Sequence, residues 1–301
     1  MKPQPNLPKI FHLRFAPEIW SPLFRLCNFV GLAFPNNRDA YDGLTACEGH
    51  LDKVQVLKRI AERLLPELPK DLEELDQRGA SRNLNSHEYA ALCETIICEL
   101  YSSLDGLRQF LYGIYRHVRK VQNSSNEKLF RHAKEQVYGP EFSEAIRLEL
   151  AQAYDTWFPR LRTLRTELTH GKVGSCHLDS QTGKVRYFND GLGNQRRVFV
   201  IEDVVAVLNE YETYVTRLLN AIAAQSFEQV EKKPYFQICG IYLGRIYARM
   251  VSPSVNMTFQ DGHCASWDWF EQEKAFMCPM ISRCSAYKSK WPGGSKAALG
   301  V

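Results

Sequence analysis

The sequence predicts a mainly α protein: a helical bundle with an inserted β-hairpin and a small β-rich C-terminal appendage. Three observations carry that prediction. Long stretches in the middle of the chain repeat apolar residues at alternating steps of three and four, the seam of a packed helix. Pro, Gly and polar clusters punctuate them at short intervals, so neighbouring helices should pack antiparallel. Beyond residue 226 the helical period gives way to aromatic, partly alternating segments cut by glycine.

These changes of texture divide the 301 residues into an N-terminal extension (1–39), the bundle (40–225), the appendage (226–287) and a polar tail (288–301) too poor in apolar residues to pack. A hydrophobic content of 45% with 24% charged residues excludes a disordered or fibrous chain. The net charge of +4 permits an anionic partner without demanding one.

The first residues, MKPQPNLPK, hold three prolines and no apolar run, so no signal peptide is expected. The stretch Ile19–Phe34 is partly apolar, but Pro22, Arg25 and Asn28 interrupt it, and it is too short and polar to span a bilayer. The first bundle helix is expected over about 44–65, with Leu51, Val54, Leu57, Ile60 and Leu64 on one stripe and Pro66 and Pro69 as its stop. An acidic connection, KDLEELDQRGASRNLNS, follows, in which Asn85 and Glu88 resemble an N-terminal cap. The longest helix, about 87–119, carries Tyr89, Cys93, Ile96, Leu100, Leu104, Leu107, Leu111, Ile114 and Val118, and would be about 50 Å long.

A shorter helix over about 126–138 presents Leu129, Phe130, Ala133 and Val137. The next, about 141–170, has Leu150, Tyr154, Trp157, Leu161, Leu164 and Leu168 as its seam, a kink expected at Pro159, and Gly171 as a left-handed stop. Two strands are expected near Ser175–Leu178 and Lys184–Phe188, joined by Ser180-Gln181-Thr182-Gly183. A last helix, about 201–225, presents Val204, Leu208, Tyr211, Val215, Leu218 and Ile222. In the appendage Gly240, Gly244 and Asp261-Gly262 mark turns, the last a hairpin signal.

The nine cysteines form no CxxC pair, and their odd number without a secretory signal fits a reducing cytoplasm. A metal site would need His263, Cys264, Cys278 and Cys284 to converge at separations that match no familiar zinc pattern. Buried free thiols, with no metal and no cofactor, are the expectation. No GxSxG, Walker A or HExxH string occurs, so serine-hydrolase, P-loop and zincin chemistry have no support.

Chemistry concentrates in LRTLRTELTHGK, where Arg165 and His170 stand near a helix end. Histidine moves protons near neutral pH, and the arginine fork fits phosphate oxygens. Arg160, Arg162 and Lys172 add a cationic rim suited to a phosphate backbone. The bland alternative is that these cations merely complement the helix dipole. The same spacing recurs at Arg82 and His87, but there the histidine opens a helix instead of closing one.

The run RTELTH, within L-R-x-x-L-x-H-G and between two amphipathic helices, resembles the Arg-x4–6-His signature of the HEPN family. The resemblance covers about residues 40–225. It implies a metal-independent endoribonuclease, as in RNA-cutting toxins and phage-defence effectors, with His170 as general base and Arg165 stabilising the phosphate. It also implies a homodimer whose motifs face one groove, and allows an antitoxin or other regulatory protein as a further partner. Thr166 departs from the Asn, Asp or His common after the arginine, and its hydroxyl would bond a phosphate or order the histidine less rigidly. Lys172 stands where some members carry a modifiable tyrosine, so that control is not implied. Two other classes stay open: a silent HEPN-like scaffold or sensor that binds RNA or protein, and an unrelated helical interaction protein.

Overall fold

A computed structural model describes residues 21–190, 198–228, 230, 234–242, 245–252, 261–272 and 277–289. The proline-rich start and the tail from residue 290 lie outside the described residues. The protein is mainly helical, with a three-stranded antiparallel sheet inserted among the helices and a second one in its C-terminal part. The chain forms two compact units, 34–225 and a second that joins 1–33 to 226–301.

The first helix, α1 (Pro22–Ala33), belongs to the second of these units. Leu26, Phe29 and Val30 are buried. Phe29 packs against Phe227 and Tyr235 with ring centroids 5.9 and 5.7 Å away. The interrupting Arg25 lies over the Phe227 ring at 3.8 Å, and Asn28 accepts a bond from Gln237 at 2.9 Å. The polar residues that broke the apolar pattern are thus the ones that tie α1 to the end of the chain.

In the larger unit, α2 (Arg38–Leu64) is capped by Asn37, whose carbonyl oxygen accepts from Ala40 N and whose amide donates to Gly113 O. Six residues beyond the expected start of this helix are helical on its N-terminal side, and its seam differs from the expected one. The buried positions are Ala40, Gly43, Leu44, Cys47, Val54 and Ala61. Of the expected stripe only Val54 is fully buried. Small residues replace large ones because two backbones meet here: a Cβ on Gly43 would stand 2.7 Å from the Gly106 carbonyl, and one on Gly106 2.7 Å from that of Gly43. Only glycine permits such an approach.

After a short 3-10 turn (Leu65–Glu67) comes α3 (Pro69–Arg78), where a polar connection was expected. Pro69 opens this helix instead of ending the previous one, since a first-turn residue needs no N–H. Gly79 at φ 71° closes it. Its apolar residues Leu72 and Leu75 are about half exposed, so no buried stripe announced it.

The long helix is α4 (Leu84–Tyr115), with all of its expected seam inside it except Val118, and all but Ile114 buried. The expected Asn85–Glu88 cap does not form. Instead Asp71 of α3 accepts from Ser86 N at 2.8 Å and from the Asn85 side chain at 2.7 Å. The carboxylate therefore serves the first turn of α4 from a neighbouring helix, where it also complements the dipole.

Ser125 caps α5 (Asn126–Lys134), which ends early at Gln136 (φ 56°) and leaves Val137 exposed. The expected kinked helix is two: α6 (Glu144–Asp155) and α7 (Phe158–His170). Pro159 lies in the first turn of α7, so the chain breaks before it instead of bending through it. Phe158 stacks on Phe130 at 4.0 Å, and Leu161, Leu164 and Leu168 are buried.

Three strands follow: β1 (Ser175–Leu178), β2 (Val185–Asn189) and β3 (Phe199–Ile201), in the order β1-β2-β3. Asp179 accepts from the Gln181 and Thr182 amides, and Gly183 at φ 69° completes the β1–β2 turn. The third strand makes the expected hairpin a sheet. Its three residues are too few to show a period. Asp203 then caps α8 (Val204–Phe227), whose whole expected seam is buried.

In the C-terminal part, β4 (Tyr235–Tyr242) and β5 (Arg245–Val251) pair with an irregularity between Ile238 and Gly240, and β6 (His263–Cys264) adds to β5. Two short helices, α9 (Trp267–Gln272) and α10 (Ser285–Lys288), complete it. Asp261-Gly262 leads directly into β6, with Gly262 at φ 89°. Gly244 lies outside the described residues.

Candidate functional site

The end of α7 is anchored from below. Leu161, Leu164 and Leu168 bury one side of the helix, which leaves Arg160, Arg162, Thr166, Thr169 and His170 exposed and Arg165 half-buried. The helix continues through His170. Gly171 ends it in an extended conformation (φ −89°, ψ 174°) rather than the expected left-handed one, with its N–H on Glu167 O at 2.9 Å. The chain runs straight on toward β1, so it needs no left-handed reversal.

That exit segment is held firmly. Glu94 of α4 accepts from Gly174 N at 2.8 Å and from the Tyr187 hydroxyl at 2.7 Å. Asn189 donates to Lys172 O at 2.8 Å and to the Tyr187 oxygen at 3.0 Å. Burial, and the bond to Glu94, push the Tyr187 phenol up, so it stays a neutral donor. Further on, at Cys176, Ser86 donates to the backbone carbonyl at 2.8 Å and accepts from the backbone N–H at 2.9 Å. The backbone immediately after His170 is thereby fixed to α4 and β2.

The predicted residues do not all share one face. Arg165 lies over the Tyr101 ring at 5.2 Å. Burial raises the Tyr101 phenol, and Arg162 and Arg165 both oppose that rise. Burial likewise raises the Cys98 thiol against a bond from Thr169 and the charge of Arg165. Arg165 therefore faces α4. The charge of Arg160 offsets part of the rise that burial causes in the Tyr211 phenol of α8. Five helical residues place Arg165 and His170 about 140° apart around α7. Among the described residues no hydrogen bond or ion pair joins them.

The Thr166 hydroxyl donates to Arg162 O at 2.8 Å, within its own helix. The residues that sequence reasoning missed are Tyr101, Glu94, Tyr187 and Asn189. Each is between 17 and 93 positions from its partner at the site, and no local pattern could pair them.

At the other Arg-His pair, Arg82 and His87 are exposed on either side of Asn83, which adopts φ 53° at the start of α4. No protein-family model, curated protein or solved structure matches the chain. Among the described residues no helix is long and apolar enough to cross a membrane.

Proposed function

We propose that the chain is a metal-independent endoribonuclease of HEPN type, acting in the cytoplasm, with its site at the exit of α7. The observation that carries this reading is that an accessible histidine and a half-buried arginine stand within one turn and a half of the same anchored helix end. His170 takes the proton of an RNA 2′-hydroxyl, and Arg165 stabilises the charge that gathers on the phosphate as the 2′-oxygen attacks in line. The products are a 2′,3′-cyclic phosphate and a 5′-hydroxyl. Single-stranded or looped RNA is the natural substrate, because its backbone bends into that geometry. Arg160, Arg162 and Lys172 supply the long-range attraction.

The angle between Arg165 and His170 argues for assembly. A second copy facing the first across a two-fold axis brings one protomer's arginine toward its partner's histidine, which a single helix does poorly. A toxin or phage-defence role, with an antitoxin as partner, belongs to the same reading. A second reading, an RNA-binding scaffold without cleavage, is favoured by Thr166, which is engaged by its own helix.

The deciding experiment incubates the full chain with labelled single-stranded RNA in EDTA. Cleavage to 2′,3′-cyclic phosphate ends is expected. RNA retention without cleavage would instead establish the scaffold, and neither would end both readings. Mixing His170→Ala protomers with wild type should lower activity more than dilution does, whereas a fully active monomer in sedimentation contradicts the shared site.

A further inference from the structure

Arg249 of β5 is only 2% exposed, and one edge of its guanidinium holds two sulfurs. Its Nε donates to Cys239 Sγ at 3.1 Å and its Nη2 to Cys284 Sγ at 3.7 Å. These two nitrogens share one edge of the planar group, the edge that can grip both oxygens of a carboxylate. Their N–H bonds run nearly parallel, so two acceptors on that edge sit side by side. The remaining nitrogen, Nη1, donates to Asp261 O at 3.2 Å. The two thiols are therefore neighbours, although one belongs to β4 and the other opens α10.

A local irregularity brings each sulfur to that edge. Cys239 is the residue that the β4–β5 register skips, between Ile238 opposite Ala248 and Gly240 opposite Tyr247. Cys284 stands before α10 in an extended conformation (φ −93°, ψ 109°), with its N–H on Met280 O at 2.9 Å. Both are free thiols, Cys239 half-buried and Cys284 buried. Together with Cys264 and Cys278 they line a cavity of about 20 Å³, a space on the scale of one water molecule. An oxidant of solvent size fits there, and a nucleotide or peptide does not. Neighbouring sulfurs need only close to about 2.05 Å to bond.

We propose that Cys239 and Cys284 are a redox pair that hydrogen peroxide closes to a disulfide, locking β4 to the start of α10. The more accessible Cys239 sulfur attacks one peroxide oxygen. The O–O bond breaks, and the departing oxygen leaves with the thiol proton as water. Cys239 is then a sulfenic acid. The Cys284 sulfur attacks the Cys239 sulfur, the S–O bond breaks, and the hydroxyl leaves with the Cys284 proton as a second water. The two sulfurs lose two electrons in all, and the peroxide gains them. A dithiol reductant reverses the bridge by exchange. Arg249 holds both sulfurs through the reaction, and the crosslink restricts the unfolded chain between them. The pair is independent of the α7 chemistry and stands whether or not the chain cuts RNA.

The test uses the full chain, reduced, exposed to excess hydrogen peroxide, then alkylated under denaturing conditions and digested. Mass spectrometry should find peptides joined through Cys239 and Cys284, with Cys264 and Cys278 alkylated. The melting midpoint should rise by roughly 5 °C or more on oxidation and return with dithiothreitol. Cys239→Ser and Cys284→Ser should each abolish both the bridge and the shift, while Cys93→Ser, a buried thiol of the larger unit, should change neither. Should a serine variant fail to fold, the peptide map and melting shift of the wild type still decide the matter. A wild type that forms no bridge, a bridge through Cys264 or Cys278, sulfinic or sulfonic acid at Cys239 in its place, or a bridge that leaves the midpoint unchanged would each overturn the assignment.

Discussion

Two Arg-x4-His runs with the same spacing sit at opposite helix ends, and that difference in placement separates them more than their composition does. Arg82 and His87 flank the start of α4, where free amides attract anions. That attraction is already met by Asp71, whose carboxylate accepts from Ser86 N at 2.8 Å. A phosphate approaching there would meet a resident negative charge. Arg165 and His170 close α7, where carbonyls attract cations and no carboxylate is bonded to either side chain among the described residues. The exits also differ in what fixes them. Glu94, Tyr187 and Asn189 hold the backbone after His170, whereas Asn83 before His87 is a strained turn residue at φ 53°. A motif defined by spacing alone is blind to both differences.

The strongest way to break the comparison is His170→Ala, which should lower RNA cleavage at least about a hundredfold, the usual scale of general-base catalysis. Its exposed side chain predicts an unchanged melting temperature, so a folded variant that still cuts would reassign the base. Arg165→Gln comes next. Turnover should fall about tenfold or more while RNA affinity changes little, because its proposed interaction strengthens in the transition state. Equal losses in affinity and turnover would make it a binding residue only.

Asp71→Ala tests the structural role assigned to the other helix end. Losing the cap should destabilise the fold by about 1–2 kcal/mol, visible as a lower melting temperature, with residual cleavage per folded molecule unchanged. A neutral Asp71→Ala would mean that α4 begins well without its neighbour. Arg162→Gln should weaken RNA binding and reduce the salt slope by about one. An unchanged slope would place the RNA elsewhere. The smallest effect is expected for His87→Ala, within about 0.5 kcal/mol in stability and neutral in cleavage. Cleavage lost there and kept in His170→Ala would move the site to Arg82 and His87.

Legibility in the sequence followed the size of the residues that make each contact. The seams of α4 and α8 were readable because large aliphatic and aromatic side chains recur at helical spacing and bury themselves in that register. The seam of α2 was not, because its contact is made by Ala40, Gly43, Cys47 and Ala61, which carry little hydrophobic signal yet let two backbones touch. α3 escaped notice for a related reason. It buries only Asp71 fully, and its exposed face is held by local pairs such as Arg78 with Glu74 at 2.9 Å. At the candidate site the sequence identified the cations and the histidine. It could not supply Tyr101 beneath Arg165, or the Glu94–Tyr187–Asn189 network beneath Lys172 and Gly174.

By itself, then, the sequence determined the mainly α class, the positions of the long helices, the β1–β2 turn and which cations and histidine lie near the end of α7. These depend on periodicity, capping and turn residues, whose physics acts within a few positions along the chain. Only the tertiary structure decided that α1 joins the C-terminal unit, and that Asp71 caps a helix other than its own. It also laid Arg165 over Tyr101, and placed Cys239 instead of His263 beside Cys264, Cys278 and Cys284. Each of those outcomes depends on a contact between distant segments, set by how backbones approach and how strands register, and neither is written in the spacing of residues along one segment.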